Sequence, residues 1–208
     1  MKSRELASAD LEQALVASSR VSATIRAELG EEAELDDRGR ISLAYLTMCL
    51  EHREALVLLI AHGALTSATA LQRPLLEACV TGAWIDTCST DDELRGIASW
   101  VRPPSTFERM AQQLRIAHPL GRWFETLRGH YGILNDYAHG HRRQLSRWLG
   151  PGAVGPRYPD GQAVEMLRWA DVVGLLAAVF REKVAGRPIN ALMQTLENVM
   201  DGLSTKSA

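Results

Sequence analysis

Lysine is nearly missing from this 208-residue chain: it has only three, and every other basic residue is arginine. Cysteine is also scarce. Cys49, Cys79 and Cys88 form no CxxC pair and give an odd count, which excludes a disulfide framework or a zinc ribbon and predicts reduced core thiols in a cytoplasmic protein. No segment alternates apolar and polar residues in the way a half-buried strand requires. The N-terminal MKSRELASADLEQ carries alternating charges in place of an apolar run, so no secretory signal is expected. Catalytic signatures are missing too. The chain has no Walker A loop, no GxSxG, no HExxH, and no glutamate followed three residues later by histidine, as a di-iron bundle needs. Gly150, Gly152 and Gly155 match GxGxxG by spacing but follow no strand, so a dinucleotide site is excluded there. His139 and His141 are the only close histidine pair, and no metal or other cofactor is expected.

What is present is helix. The most informative stretch is ALVLLIAHGALTSATALQRPLLEACVTGAWI, Ala55 to Ile85, apolar or small except for a few polar residues and one charge pair. Gly63, Gln72, Arg73, Pro74 and Glu77 interrupt it, which favours a buried helical hairpin over a membrane span. Arg73 and Glu77 stand four apart and so share one helix face. Charges in such surroundings are expected to pair, either to set helix register or to orient Arg73 toward a bound anion.

Helices are predicted from Ser3 to about Leu29, Ile41 to His62, and onward to about Cys88 with a kink at Pro74. Thr90 begins a short helix to Trp100, and Ser105 with Glu108 suggests a capping box for one ending at Pro119. Gly121–His139, Gln162–Val184 and Ile189–Leu203 follow, with 150–161 a loop and 204–208 a frayed tail. The expected fold is a single-domain all-α bundle of six to eight helices.

The net charge of −2 hides a segregation. Residues 95–148 hold nine arginines against three acidic residues, whereas residues 1–62 hold 7 basic and 11 acidic side chains. The basic segment ends in NDYAHGHRRQ, Asn135 to Gln144. Tyr131, Asn135 and His139 are spaced i, i+4, i+8 and form one polar stripe; Asp136 and Tyr137 project from other faces. Arg142 and Arg143 follow the helix end. Histidine could supply acid–base chemistry, asparagine a neutral hydrogen bond and arginine charge stabilisation. The plain alternative is a helix-terminal histidine bonded to a core Asn, Tyr or Glu77. The other histidines, His52, His62, His118 and His130, read as ordinary interior or helix-end residues.

At these motifs the chain resembles a family of uncharacterised bacterial helical proteins. ALQRPLLEACVTGAWI and LNDYAHGHRRQLSRW are similar to that family's "RP..EA..RG.W" and "NDYTHGG..Q" segments, over roughly residues 40–148. A more distant resemblance is to HEPN domains, helical bundles of prokaryotic toxin and antiphage systems. Many of these are metal-independent ribonucleases that dimerise to pair two Arg-polar-x-x-x-His motifs. Setting His139 on the motif histidine places Asn135 on the polar position and Leu134 on the arginine position. The missing arginine ranks a non-catalytic binding and dimerisation module in a defence or stress system first. It would be a homodimer with a protein or RNA partner and no membrane contact. A ribonuclease with His139 and Asn135 as catalytic residues ranks second. A small anionic-ligand site ranks third. Arg73, Glu77, Tyr131, Tyr137, Arg142 and Arg143 are the candidate binding residues.

Overall fold

The computed structural model describes residues 8–31, 34–99, 101, 105–138, 142–150 and 152–204, apart from the side chains of residues 122, 130, 135, 136, 142, 143, 150, 153 and 202–204. Among the described residues the protein is an all-α bundle of nine helices and one small hairpin. The helices are α1 (Ala9–Glu28), α2 (Asp37–Ala61), α3 (Leu65–Thr87), α4 (Asp91–Ala98), α5 (Phe107–Ala117), α6 (Gly121–Ala138), α7 (Arg142–Ser146), α8 (Asp160–Val184) and α9 (Asn190–Ser204). The strands β1 (Leu149–Gly150) and β2 (Ala153–Val154) pair antiparallel.

Several helix starts are fixed by side-chain caps. The Ser8 hydroxyl accepts from the Leu11 amide, and Asp36 accepts from Gly39 at 2.8 Å. Thr90 and Glu93 form a reciprocal capping box, with bonds of 3.2 and 2.9 Å. Three expectations are corrected. The Asp36 cap starts α2 four residues before Ile41, shortening the acidic loop. Thr106, not Ser105, caps α5 through the Arg109 amide. Part of the stretch expected as loop at 150–161 belongs to the hairpin, with Gly152 at φ +71° between its strands. Among the described residues, α7 is a ninth helix beside the eight predicted. Helix α3 continues through Pro74.

Helices α3 and α8 form the centre. The second half of α3 is buried on every side from Ala78 to Ile85, and α8 likewise from Val172 to Phe180. Both runs lack a polar face, as interior helices do. Helix α2 packs on both, α1 and α9 lie against α8, and α5 and α6 lie against α3. Among the described residues no helix is long and apolar enough to cross a membrane. Residues 205–208, most of the expected tail, lie outside the described residues.

Candidate functional site

Arg73 leaves α3 one residue before Pro74, on the side where α6 packs. Its Nε donates to Glu77 Oε1 at 2.9 Å, one helical turn away. Its Nη2 donates to the Tyr131 hydroxyl at 3.1 Å, and that hydroxyl donates to the same Glu77 oxygen at 2.6 Å. The guanidinium carbon lies 5.4 Å from the Tyr131 ring centre. Phe107 of α5 stacks on Tyr131, with ring centres 4.0 Å apart and planes 7° from parallel. One tyrosine therefore joins α3, α5 and α6.

The electrostatics follow from this closure. Burial and the Glu77 carboxylate, which accepts its hydrogen bond, push the Tyr131 pKa up to about 12, against a smaller opposing pull from Arg73. Burial works against the charge on Arg73, but the bond to Glu77 and its charge outweigh it, so the arginine pKa rises. At neutral pH the cluster is a protonated phenol between a fixed cation and a fixed carboxylate.

The cluster sets an alkaline limit on stability. Below pH 10, the ordinary tyrosine value, folded and unfolded states both hold the phenol proton. Between 10 and about 12 only the unfolded state releases it, so stability falls as pH rises through that window. Tyr131→Phe should flatten the loss, and Glu77→Gln should move the Tyr131 titration downward; ultraviolet titration of tyrosinate with parallel urea melts measures both. An unchanged alkaline slope in Tyr131→Phe would contradict the assigned geometry.

The structure thus unites Arg73, Glu77 and Tyr131 of the predicted residues. His139 lies outside the described residues, as do the side chains of Asn135, Arg142 and Arg143. Tyr137 leaves another face of α6 and is 8 % exposed. It lines a cleft of about 1130 Å³ bounded by α6, the first half of α8 and Met200 of α9, with Gln72 of α3 among its lining residues.

The basic segment is partly neutralised. Arg95 pairs with Asp92 at 3.6 Å, Arg109 with Glu93 at 3.1 Å, and Arg115 and Arg128 share Glu125 at 3.7 and 2.5 Å. These exposed pairs add little stability, but they occupy arginines of the segment that looked most suited to phosphate.

Two further polar groups escape motif reading. Arg53 of α2 is fully buried and bonds Asp171 of α8 at 2.6 Å, with Ser18 and Ser22 of α1 completing the group. Glu182 of α8, also fully buried, accepts from the Gly30 amide at 3.3 Å and from Arg187 at 3.0 Å, and pairs with Arg181. The available signal for both is a short charged cluster inside an otherwise apolar run, LTMCLEHREALVLLI and AVFREKV. Among the described residues, no three His, Cys, Asp or Glu side chains are placed to hold a metal ion.

Fold and site define a helical protein with a hydrogen-bonded Arg–Glu–Tyr cluster between α3 and α6 and a separate cleft between α6 and α8. The chain belongs to the family of unknown function DUF6988, which it matches over residues 46–203. No curated protein and no solved structure matches it.

Proposed function

We propose that this chain is a non-catalytic binding module. It is a HEPN-like bundle that pairs with a second copy and engages a protein or RNA partner in a bacterial defence or stress response, in the cytoplasm. The observation that carries this reading lies at the end of the basic segment. Helix α7 and the hairpin expose Leu145, Leu149 and Val154, at 54, 54 and 78 %. Leu149 and Val154 stand opposite each other across the two-residue ladder. Exposed apolar side chains in a stretch that also holds Arg147 and Arg157 have the composition of an interface core and rim. The cluster at Arg73 supports the same reading. Its Nε and Nη2 are committed to Glu77 and Tyr131, which argues against Arg73 as a replacement for the HEPN arginine missing at Leu134.

Light scattering at micromolar concentration should return a dimer, and Leu149→Lys with Val154→Lys should convert it to a folded monomer. A wild-type monomer would remove the pairing. Expression in bacteria should leave RNA intact and growth equal for the wild type and His139→Ala. Fragmented RNA that the substitution prevents would instead establish the ribonuclease.

A further inference from the structure

The cleft beside α6 is built for something the Arg73 cluster is not. Gln72 is 7 % exposed, lines this cleft, and its amide forms no hydrogen bond with any described residue. Gln162, on the α8 wall, has its Oε1 buried without a partner. A buried acceptor left unpaired is unfavourable and rare in native structures, so Gln162 Oε1 points to a donor that the cleft takes from outside the chain, and the Gln72 amide lines the same cleft. Trp123, Tyr137 and Trp169 supply aromatic wall, and Leu134 and Met166 aliphatic wall. Arg147 and Arg168 also line the cleft, and among the described residues neither guanidinium has an ion-pair partner. Glu165 is the one carboxylate in the lining, so the cleft carries a net charge of about +1.

We propose that this cleft binds a small amphipathic carboxylate that also carries an amide, an N-acylated amino acid being the simplest member of the class. Each part of that ligand has a counterpart. The Gln72 amide offers one acceptor and two donors, and a secondary amide meets it with one donor and one acceptor. The apolar body fills the aromatic and aliphatic walls. The carboxylate takes Arg168, which stands on the α8 wall with Gln162, a planar two-oxygen anion being the natural partner of a guanidinium. A surplus of one positive charge suits a monoanion and disfavours a polyphosphate. The volume, about 1130 Å³ and so just above the roughly 300–1,000 Å³ usual for ligand sites, accommodates an acyl chain of moderate length. This inference does not rest on the pairing and partner reading above, and its test reads ligand binding alone.

The test is isothermal titration of the full chain with N-octanoylglycine, decanoate, octylamine and adenosine monophosphate. N-octanoylglycine should bind saturably, at one site per chain. Decanoate, which lacks the amide, should bind about tenfold more weakly, one lost buried hydrogen-bonding arrangement corresponding to about 1.4 kcal/mol. Octylamine should not bind. Arg168→Gln should weaken N-octanoylglycine by about tenfold or more. Gln72→Leu should reduce its affinity to that of decanoate. Arg168 is only half-buried, so its variant keeps the test decisive if Gln72→Leu fails to fold. Absence of saturable binding by the wild type, tighter binding of adenosine monophosphate, or wild-type affinity in folded Arg168→Gln would each overturn the proposal.

Discussion

Replacing Arg53 with methionine should destabilise the protein by about 3–5 kcal/mol, a large share of the total stability of a domain this size. Arg53 is fully buried, and its guanidinium is the charged partner of Asp171, at 2.6 Å through Nη2 and 3.2 Å through Nε. Nη2 also donates to the Ser18 carbonyl at 2.8 Å, and Nη1 reaches Glu54 at 2.6 Å. Methionine fills the volume but leaves Asp171 in a nearly dry site with only the Ser18 hydroxyl, 2.8 Å away. Burial already holds the Asp171 pKa above the usual carboxylate range despite Arg53 and Ser18. Without the arginine it rises further, so the variant's defect should shrink as pH falls and the carboxyl takes up a proton. The double variant Arg53→Met with Asp171→Leu should recover most of the loss, because desolvation of the pair offsets much of its attraction. Urea melts of the wild type, both single variants and the double variant measure the cycle. A single-variant loss below about 1 kcal/mol would mean that the pair is not the buried tie between α2 and α8 described here.

Much of the fold is legible in the sequence because one signal, apolar periodicity broken by caps and glycine, carries it. Thr90 and Glu93 announce α4, and the Gly63 turn separates α2 from α3 at φ +73°. The Arg73–Glu77 pairing follows from i, i+4 spacing alone. Tyr131 as its third member required tertiary information. Periodicity places it on a stripe with Asn135 and His139, but only the packing of α6 on α3 shows that the stripe meets Arg73. The start of α2 was hidden because its cap, Asp36, sits among other acids, so composition reads as loop. The short helix α7 was hidden because five residues complete barely one turn, too few for any period to show. Arg53 and Asp171 are, like Arg73, charges in largely apolar helices, but they lie 118 positions apart, and no spacing rule connects such residues.

Cutting Leu46 to alanine should cost about 2–5 kcal/mol, and the size of the loss should depend on Gly82. Leu46 is fully buried in α2, and a Cβ built on Gly82 of α3 would lie 2.7 Å from its Cγ and 3.1 Å from the Ser42 carbonyl oxygen. Glycine at 82 therefore lets α2 approach α3 closely, and the Ser42 hydroxyl donates to the Gly82 carbonyl at 2.9 Å across that contact. Gly82→Ala alone should cost about 1–3 kcal/mol, because the added methyl must displace a fully buried leucine and presses on the Ser42 carbonyl. In the double variant the new methyl occupies space that Leu46→Ala vacates. The combined loss should fall short of the sum of the single losses by about 1 kcal/mol or more. The readout extends to the site, since α3 carries both Gln72 and Arg73 about two and a half to three turns upstream of this contact. If the contact sets the position of α3, Gly82→Ala should also disturb the Tyr131 titration, and the double variant should restore it toward about 12. Strict additivity of the stability losses would show that α2 and α3 adjust independently, and would remove Gly82 as the residue that fixes their separation.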